Sequence, residues 1–376
     1  MKKTLLSLAL LGTMAGAATA SQVTMYGLLD AGLGFTSIAA DHNAKIDHLS
    51  DSTVTLDSGN NAASRFGIKG TENLANGVVV GFKLENGFDA DDGELGNNGR
   101  LFGREAVLFV ETSYGTVSMG RMGLLASDNG STGLLADVSP MGSGWADMIG
   151  NQNLVFASNA GRADNAIAYS SPKFNGLQMH AQYSFKLDNK KDKGHEGHSD
   201  ANRYGALGVT YQAGAVGAVA VVDYLEKGDV AHQRHGKDTV TFTLGANYDC
   251  GFAKTHVGAQ YFQDADWVGG SSEYDAFGWN LAKADDNSAR DLEGFGLVAG
   301  VSMPALNGTL YGMMGYMEAE SDRTNKEMHR WTVGGGYEYP ISARTAVYTG
   351  AGYMQDAVDN TDPAVAQVVM GLKHSF

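Results

Sequence analysis

The chain has 376 residues and a formal net charge of −15, with 43% hydrophobic residues. That balance excludes a disordered chain and a helical membrane protein, and the acidity argues against a nucleic-acid partner. The 51 glycines, about twice the ordinary share, stand beside only 5 prolines and 1 cysteine, a composition that suits β-structure with many tight turns and excludes an internal disulfide.

From the N-terminus, the first element is an export signal. Lys2 and Lys3 precede the apolar run Leu5 to Leu11, and Ala18-Thr19-Ala20 forms an A-x-A cleavage site before Ser21. The run is too short to span a bilayer. Residues 1–20 are expected to be removed on export from a bacterial-type cell, leaving 21–376 as one barrel domain with Cys250 unpaired.

The mature segments alternate with period 2. Val23, Met25, Leu29, Ala31, Leu33 and Phe35 stand opposite Thr24, Tyr26 and Asp30. Arg65, Gly67, Lys69 and Thr71 share one face, Phe66 and Ile68 the other; Lys83 and Glu85 likewise oppose Phe82 and Leu84. From Leu177 to Leu187 every odd position is apolar or aromatic and every even one polar. Tyr204 to Val222 is free of charge and long enough for a membrane helix, but four glycines and Tyr211-Gln212 suit two strands around a turn at Gly214 to Gly217 better. Thr239 to Asp249 and Arg330 to Tyr339 alternate again. The chain ends with Val368, Met370, Leu372 and Phe376 opposite Gln367, Lys373 and Ser375.

The polar face carries Lys, Arg, Asp and Gln on strand after strand. A dry core cannot absorb that, whereas a water-filled lumen can, with the apolar face turned to lipid. Connections alternate too. Short turns fall at Asn73 to Asn76, Tyr114-Gly115, Lys173 to Gly176, Gly214 to Gly217, Cys250-Gly251, Pro304 to Asn307 and Pro340 to Ser342. Long loops fall near 37–62, 89–100, 123–161, 188–201, 227–237, 264–290, 320–328 and 356–364. Seven turns and eight loops join sixteen strands, and all 5 prolines lie in or beside them. The predicted fold is therefore all-β: a transmembrane antiparallel barrel of about sixteen strands, closed so that no edge meets lipid and wide enough to keep an aqueous channel.

No catalytic constellation appears: the chain lacks G-x-S-x-G, H-E-x-x-H and a phosphate loop. His195, Glu196 and His198 read as a solvated loop rather than a metal site, so no metal and no cofactor is expected. The acids between Asp264 and Asp291 read as solubilising, with divalent cations as the other reading.

Several stretches, in this order, resemble the general porins of Gram-negative bacteria, the trimeric proteobacterial type. They are Val23 to Gly27 with Asp30-Ala31-Gly32, Ser64 to Glu72 with Leu74, Phe102 to Ala106, Tyr114 to Val117 with Gly120-Arg121, Tyr169 to Pro172 with Phe174 to Leu177, and Gly371 to Phe376. The resemblance covers essentially the whole chain. It implies an outer-membrane homotrimer, set in lipid and lipopolysaccharide, that lets ions and small hydrophilic solutes diffuse passively. It implies a terminal aromatic, Phe376, read by the barrel-assembly machinery, and a third long loop, about Met122 to Gly161, folded into the lumen as a constriction. A basic ladder on the wall would carry Arg65, Arg104 and Arg162, joined by Lys69 and Lys83 through their parity. It would face loop acids, for which Asp128, Asp137 and Asp147 are the candidates, although the loop lacks the family's usual Pro-Glu-Phe-like segment. A solute-specific porin is the nearest alternative. An outer-membrane hydrolase barrel would need a Ser/His or Asp/His site at its rim, and a structural or adhesive barrel would have a blocked lumen.

Overall fold

The computed structural model describes residues 22–39, 52–142, 144–145, 152–158, 160–230, 233–234, 237–266, 268, 291–322, 326–358 and 362–376. The strands follow the alternation. They are β1 (Gln22–Ala39), β2 (Ser52–Ser58), β3 (Arg65–Asn73), β4 (Val79–Gly87), β5 (Glu105–Thr112), β6 (Gly115–Gly123), β7 (Arg162–Ser170), β8 (Leu177–Ser184), β9 (Arg203–Ala213) and β10 (Val216–Glu226). A small hairpin, β11 (Asp229–Val230) and β12 (Gln233–Arg234), stands apart in a loop. The series continues with β13 (Thr239–Asp249), β14 (Lys254–Ala265), β15 (Leu292–Ala305), β16 (Gly308–Ser321), β17 (Lys326–Pro340), β18 (Thr345–Val358) and β19 (Ala364–Ser375).

Every barrel strand pairs antiparallel with its neighbour, and β1 closes the sheet on β19 from Leu28↔Ser375 to Ala39↔Ala364. Both β2 and β3 pair with β1, through Ala31↔Ser58 and Leu28↔Arg65. They are two halves of one barrel strand, so the seventeen segments of the large sheet make sixteen staves. Between the halves, residues 59–64 leave the ladder. This corrects the loop expected at 37–62: β1 runs on to Ala39, and β2 begins at Ser52. Val54 and Leu56 point outward there and alternate with Thr53, Thr55 and Asp57, a short pattern that its polar flanks disguise. The loops expected at 320–328 and 356–364 are likewise shorter, because β16 reaches Ser321 and β18 reaches Val358.

The barrel is apolar outside and polar inside. On β8, Leu177, Met179 and Tyr183 are exposed, whereas His180, Gln182 and Ser184 are buried. The outward set meets lipid, which requires every backbone group to be paired within the sheet. The buried apolar cluster lies inside the barrel. Leu124, Leu125, Leu135, Val138, Trp145, Leu154, Val155 and Phe156 from the connection between β6 and β7 supply much of it, against Phe262, Val298, Met313, Met317 and Met354 on the wall.

Candidate functional site: the third loop and the wall it faces

The connection from Leu124 to Gly161, loop 3, turns inward at its root. The Leu124 N–H donates to the Gly161 carbonyl at 3.3 Å. Gln182 of β8 ties both sides of the turn, accepting from the Leu125 N–H at 2.9 Å and donating to the Gly123 carbonyl at 2.8 Å. Glu105 of β5, fully buried, accepts from the Ser131 N–H at 2.7 Å and the Ser131 hydroxyl at 2.5 Å.

Beyond Ser131 the loop lies along the far wall, and glycines there make room for it. Leu134 sits over Gly208, Val138 over Gly245 and Gly258, Pro140 over Gly300, Trp145 over Gly336, and Val155 over Gly296 and Gly315; a Cβ at any of these positions would run into the loop. Wall side chains fix the backbone of the returning arm. The Ala157 N–H donates to Gln260 Oε1 at 2.6 Å, and Arg330 Nη1 donates to the Leu154 carbonyl at 2.9 Å. Arg330 is itself held by Asp356 through bonds of 2.7 and 2.8 Å, with both side chains buried. A buried pair of this kind is neutral as a unit, so it can offer a spare N–H to the loop without an uncompensated charge.

The wall on the β1–β7 side carries the basic residues. Cross-strand register places Tyr26, Gly67, Glu85 and Glu105 in one row. The Tyr26 hydroxyl donates to Glu85 Oε2 at 2.7 Å, and Arg104 Nε donates to Glu85 Oε1 at 2.7 Å. Lys83 reaches Glu85 at 3.4 Å and also pairs with Glu105. Lys69 lies over the Tyr26 ring, 5.3 Å from its centroid. Arg104 runs across Gly87, the cross-strand partner of Arg65, so the two guanidinium groups feel each other's charge. Arg65 Nη1 donates to the Ala63 carbonyl at 2.9 Å. Arg162 Nε donates to the Arg104 carbonyl at 2.9 Å, and its Nη2 is buried without a partner among the described residues. Further along, Arg100 and Arg121 pair with Asp164, and Arg100 also with Asp188.

Arg65, Arg104, Arg162, Lys69 and Lys83 are thus gathered on one stretch of wall. Among the described residues, neither Asp128 nor Asp137 forms an ion pair with them. Asp128 is buried within loop 3, where it accepts from Gln152 Nε2 and Asn153 Nδ2, both at 3.1 Å. Burial pushes its carboxyl above the ordinary range, against these bonds and the charge of Arg162. Asp137 is exposed and pairs with Lys254 of β14 at 3.2 Å, while its carbonyl accepts from His256 Nδ1 at 2.9 Å. Asp147 lies outside the described residues. The carboxylates that meet the basic groups, Glu85 and Glu105, stand on the wall itself. Parity turns Glu85 and Tyr26 inward; nothing local marks the role of Glu105 or of the glycines under loop 3, because that role depends on strands distant in sequence.

The chain matches the family model described as Gram-negative porin over residues 7–359. It is 29% identical to an outer membrane porin protein of Bordetella pertussis, over 100% of both chains. Among solved structures it is similar to an anion-selective porin from Comamonas acidovorans, at 23% identity and TM-score 0.67, covering 95% of this chain and 100% of the other. It is also similar to OmpT, an outer membrane protein of Vibrio cholerae in trimer form, at 16% identity and TM-score 0.63, with 95% and 100% covered. A sixteen-stranded closed barrel, a long loop laid inside it and a family match along nearly the whole chain agree, and the protein belongs to the Gram-negative porin family, the channels through which solutes diffuse passively across the outer membrane.

Proposed function

We propose that the gap between loop 3 and the β1–β7 wall is the throat of this channel, and that it favours anions. One observation carries the sign. Among the described residues, the ion pairs of the five cations Arg65, Lys69, Lys83, Arg104 and Arg162 there are with two carboxylates, Glu85 and Glu105, and the Arg100, Arg121, Asp164 and Asp188 set beyond them is balanced. An excess of fixed positive charge in a narrow wet gap raises the local concentration of anions and repels cations. Selectivity of that sign also belongs to the Comamonas acidovorans porin.

Small hydrophilic solutes are the expected cargo, and the protein is a channel rather than an enzyme. It assembles as a homotrimer, as the Vibrio cholerae protein does in its trimer form. The apolar outer face beds in lipid and lipopolysaccharide, and Phe376, exposed at the C-terminus, is offered to the barrel-assembly machinery. The test is the zero-current potential of the refolded protein in a potassium chloride gradient. A potential of the sign set by chloride is expected; one set by potassium overturns the assignment.

A further inference from the structure

Residues 59–64 interrupt the second stave, with six residues standing where β1 spends only Leu29 and Asp30. The excess folds inward, and Asp30 ties both its ends and its middle. The Asp30 carbonyl accepts from the Gly59 N–H at 3.0 Å and from the Ser64 hydroxyl at 3.1 Å, and the Asp30 N–H donates to Ser64 Oγ at 3.0 Å, so both ends of the insertion are tied. Its middle is tied by the carboxylate: Oδ2 accepts from the Asn61 and Ala62 N–H groups at 3.1 and 2.8 Å, and Oδ1 from the Tyr348 hydroxyl at 2.5 Å. Asp30 has no exposed surface. A buried carboxylate is costly unless donors surround it, and here three do.

The insertion then holds loop 3. The Asn61 carbonyl accepts from the Trp145 N–H at 2.7 Å, and Lys373 steadies the Asn61 side chain at 2.7 Å. Gly144 packs so closely on the same carbonyl that no Cβ fits. The Trp145 ring lies edge-on to Tyr311 and Tyr348, with centroids 5.6 and 5.8 Å away. Trp145 has φ of 71°, a left-handed backbone that a non-glycine residue keeps only where its surroundings over-determine it.

The geometry points to Asp30 as a positioning residue for the channel: through the 59–64 insertion and Trp145 it holds the far reach of loop 3 against the β16–β18 wall, and so sets the width of the throat without touching solute. This rests on the reading that loop 3 bounds the throat. Once released, that reach can move only into the lumen.

The experiment is single-channel conductance of refolded full-length protein with Asp30→Ala, Asp30→Asn, Trp145→Ala and the Asp30→Ala/Trp145→Ala pair, each checked for heat-modifiable mobility. Asp30→Ala and Trp145→Ala are each expected to lower mean conductance roughly two-fold with added open-state noise, since the throat limits the current. The pair is expected to do no more than either alone, and Asp30→Asn, which keeps an oxygen for the Asn61 and Ala62 N–H groups, to restore the wild-type value. Wild-type conductance in Asp30→Ala beside a changed Trp145→Ala overturns the latch, as do additive changes in the pair. An unchanged Trp145→Ala overturns the throat reading itself. Should Asp30→Ala yield no barrel, a variant lacking residues 60–63 reads the same relay: the Trp145→Ala conductance supports it and the wild-type conductance overturns it.

Discussion

Glu105 and Arg104 are neighbours in sequence with opposite tasks. Glu105 points into loop 3 and Lys83 and is fully buried, whereas Arg104 lies along the wall toward Glu85 and Arg65. Charges differ in their reach according to where they sit. Those at a narrow, protein-lined gap are poorly screened, while those on a mouth loop act through salt water with a Debye length of about 10 Å at 0.1 M and roughly 3 Å at 1 M. Replacing Arg65 and Arg104 together by Ala is therefore expected to shift the zero-current potential toward cations, most strongly at low salt. Replacing Lys191 and Lys193, exposed on the loop between β8 and β9, is the matched control and should move it much less. Lys190 is unsuitable for that purpose, because its ammonium group binds the Asn98 and Gly99 carbonyls and ties two loops together. Equal shifts in the two double variants would remove Arg65 and Arg104 from the throat.

At the scale of the element, loop 3 is a packed structure rather than a flap. Its own apolar residues supply much of the buried cluster, the far wall supplies glycines under them, and Asp128 braces its two arms through Gln152 and Asn153. Asp128 makes the packing sensitive to pH. Burial raises its folded pKa, and the unfolded chain ionises near 4. Below about pH 4 both forms hold the proton and the group is neutral to stability; as pH rises through the window above 4, the unfolded chain releases its proton first and loop packing loses free energy. Asp128→Asn, which keeps an oxygen for the same donors, is expected to abolish that loss and to slow proteolytic nicking of loop 3 at neutral pH relative to wild type, with the two converging near pH 4. A constant ratio of nicking rates between pH 4 and 8 would contradict the assignment.

At the scale of the molecule, closure is what lipid demands, and the last residue completes it. Phe376 exchanges two backbone bonds of 3.0 Å with Gly27, and its ring covers the place where Gly27 has no side chain. Deleting Phe376 removes the final rung of the β1–β19 seam as well as the terminal aromatic. The expected outcome is normal export with reduced heat-modifiable barrel in the outer membrane, measured by unheated gel mobility of membrane fractions. Wild-type amounts of folded barrel would count against both roles.

The alternation of Leu177 to Leu187 or Thr239 to Asp249 by itself determined strands, an inside and an outside, and hence a closed barrel, because side-chain direction in a strand is a local property of period 2 and lipid forbids an open edge. The family motifs and the same parity brought Arg65, Lys69, Lys83, Arg104 and Arg162 onto one inner surface. Parity says which way a side chain points but not what stands across the lumen. Asp128 and Asp137 looked alike as loop acids; only the packed loop put one in its own interior and the other beside Lys254. The same holds for residues 59–62, which read as the tail of a loop, whereas β2 pairs with β1 and leaves them folded onto Asp30. What a loop does is decided by the surface it lands on, and here that surface is assembled from glycines and hydrogen-bonding groups on strands β9 to β18, far along the chain, which come together only when the barrel closes.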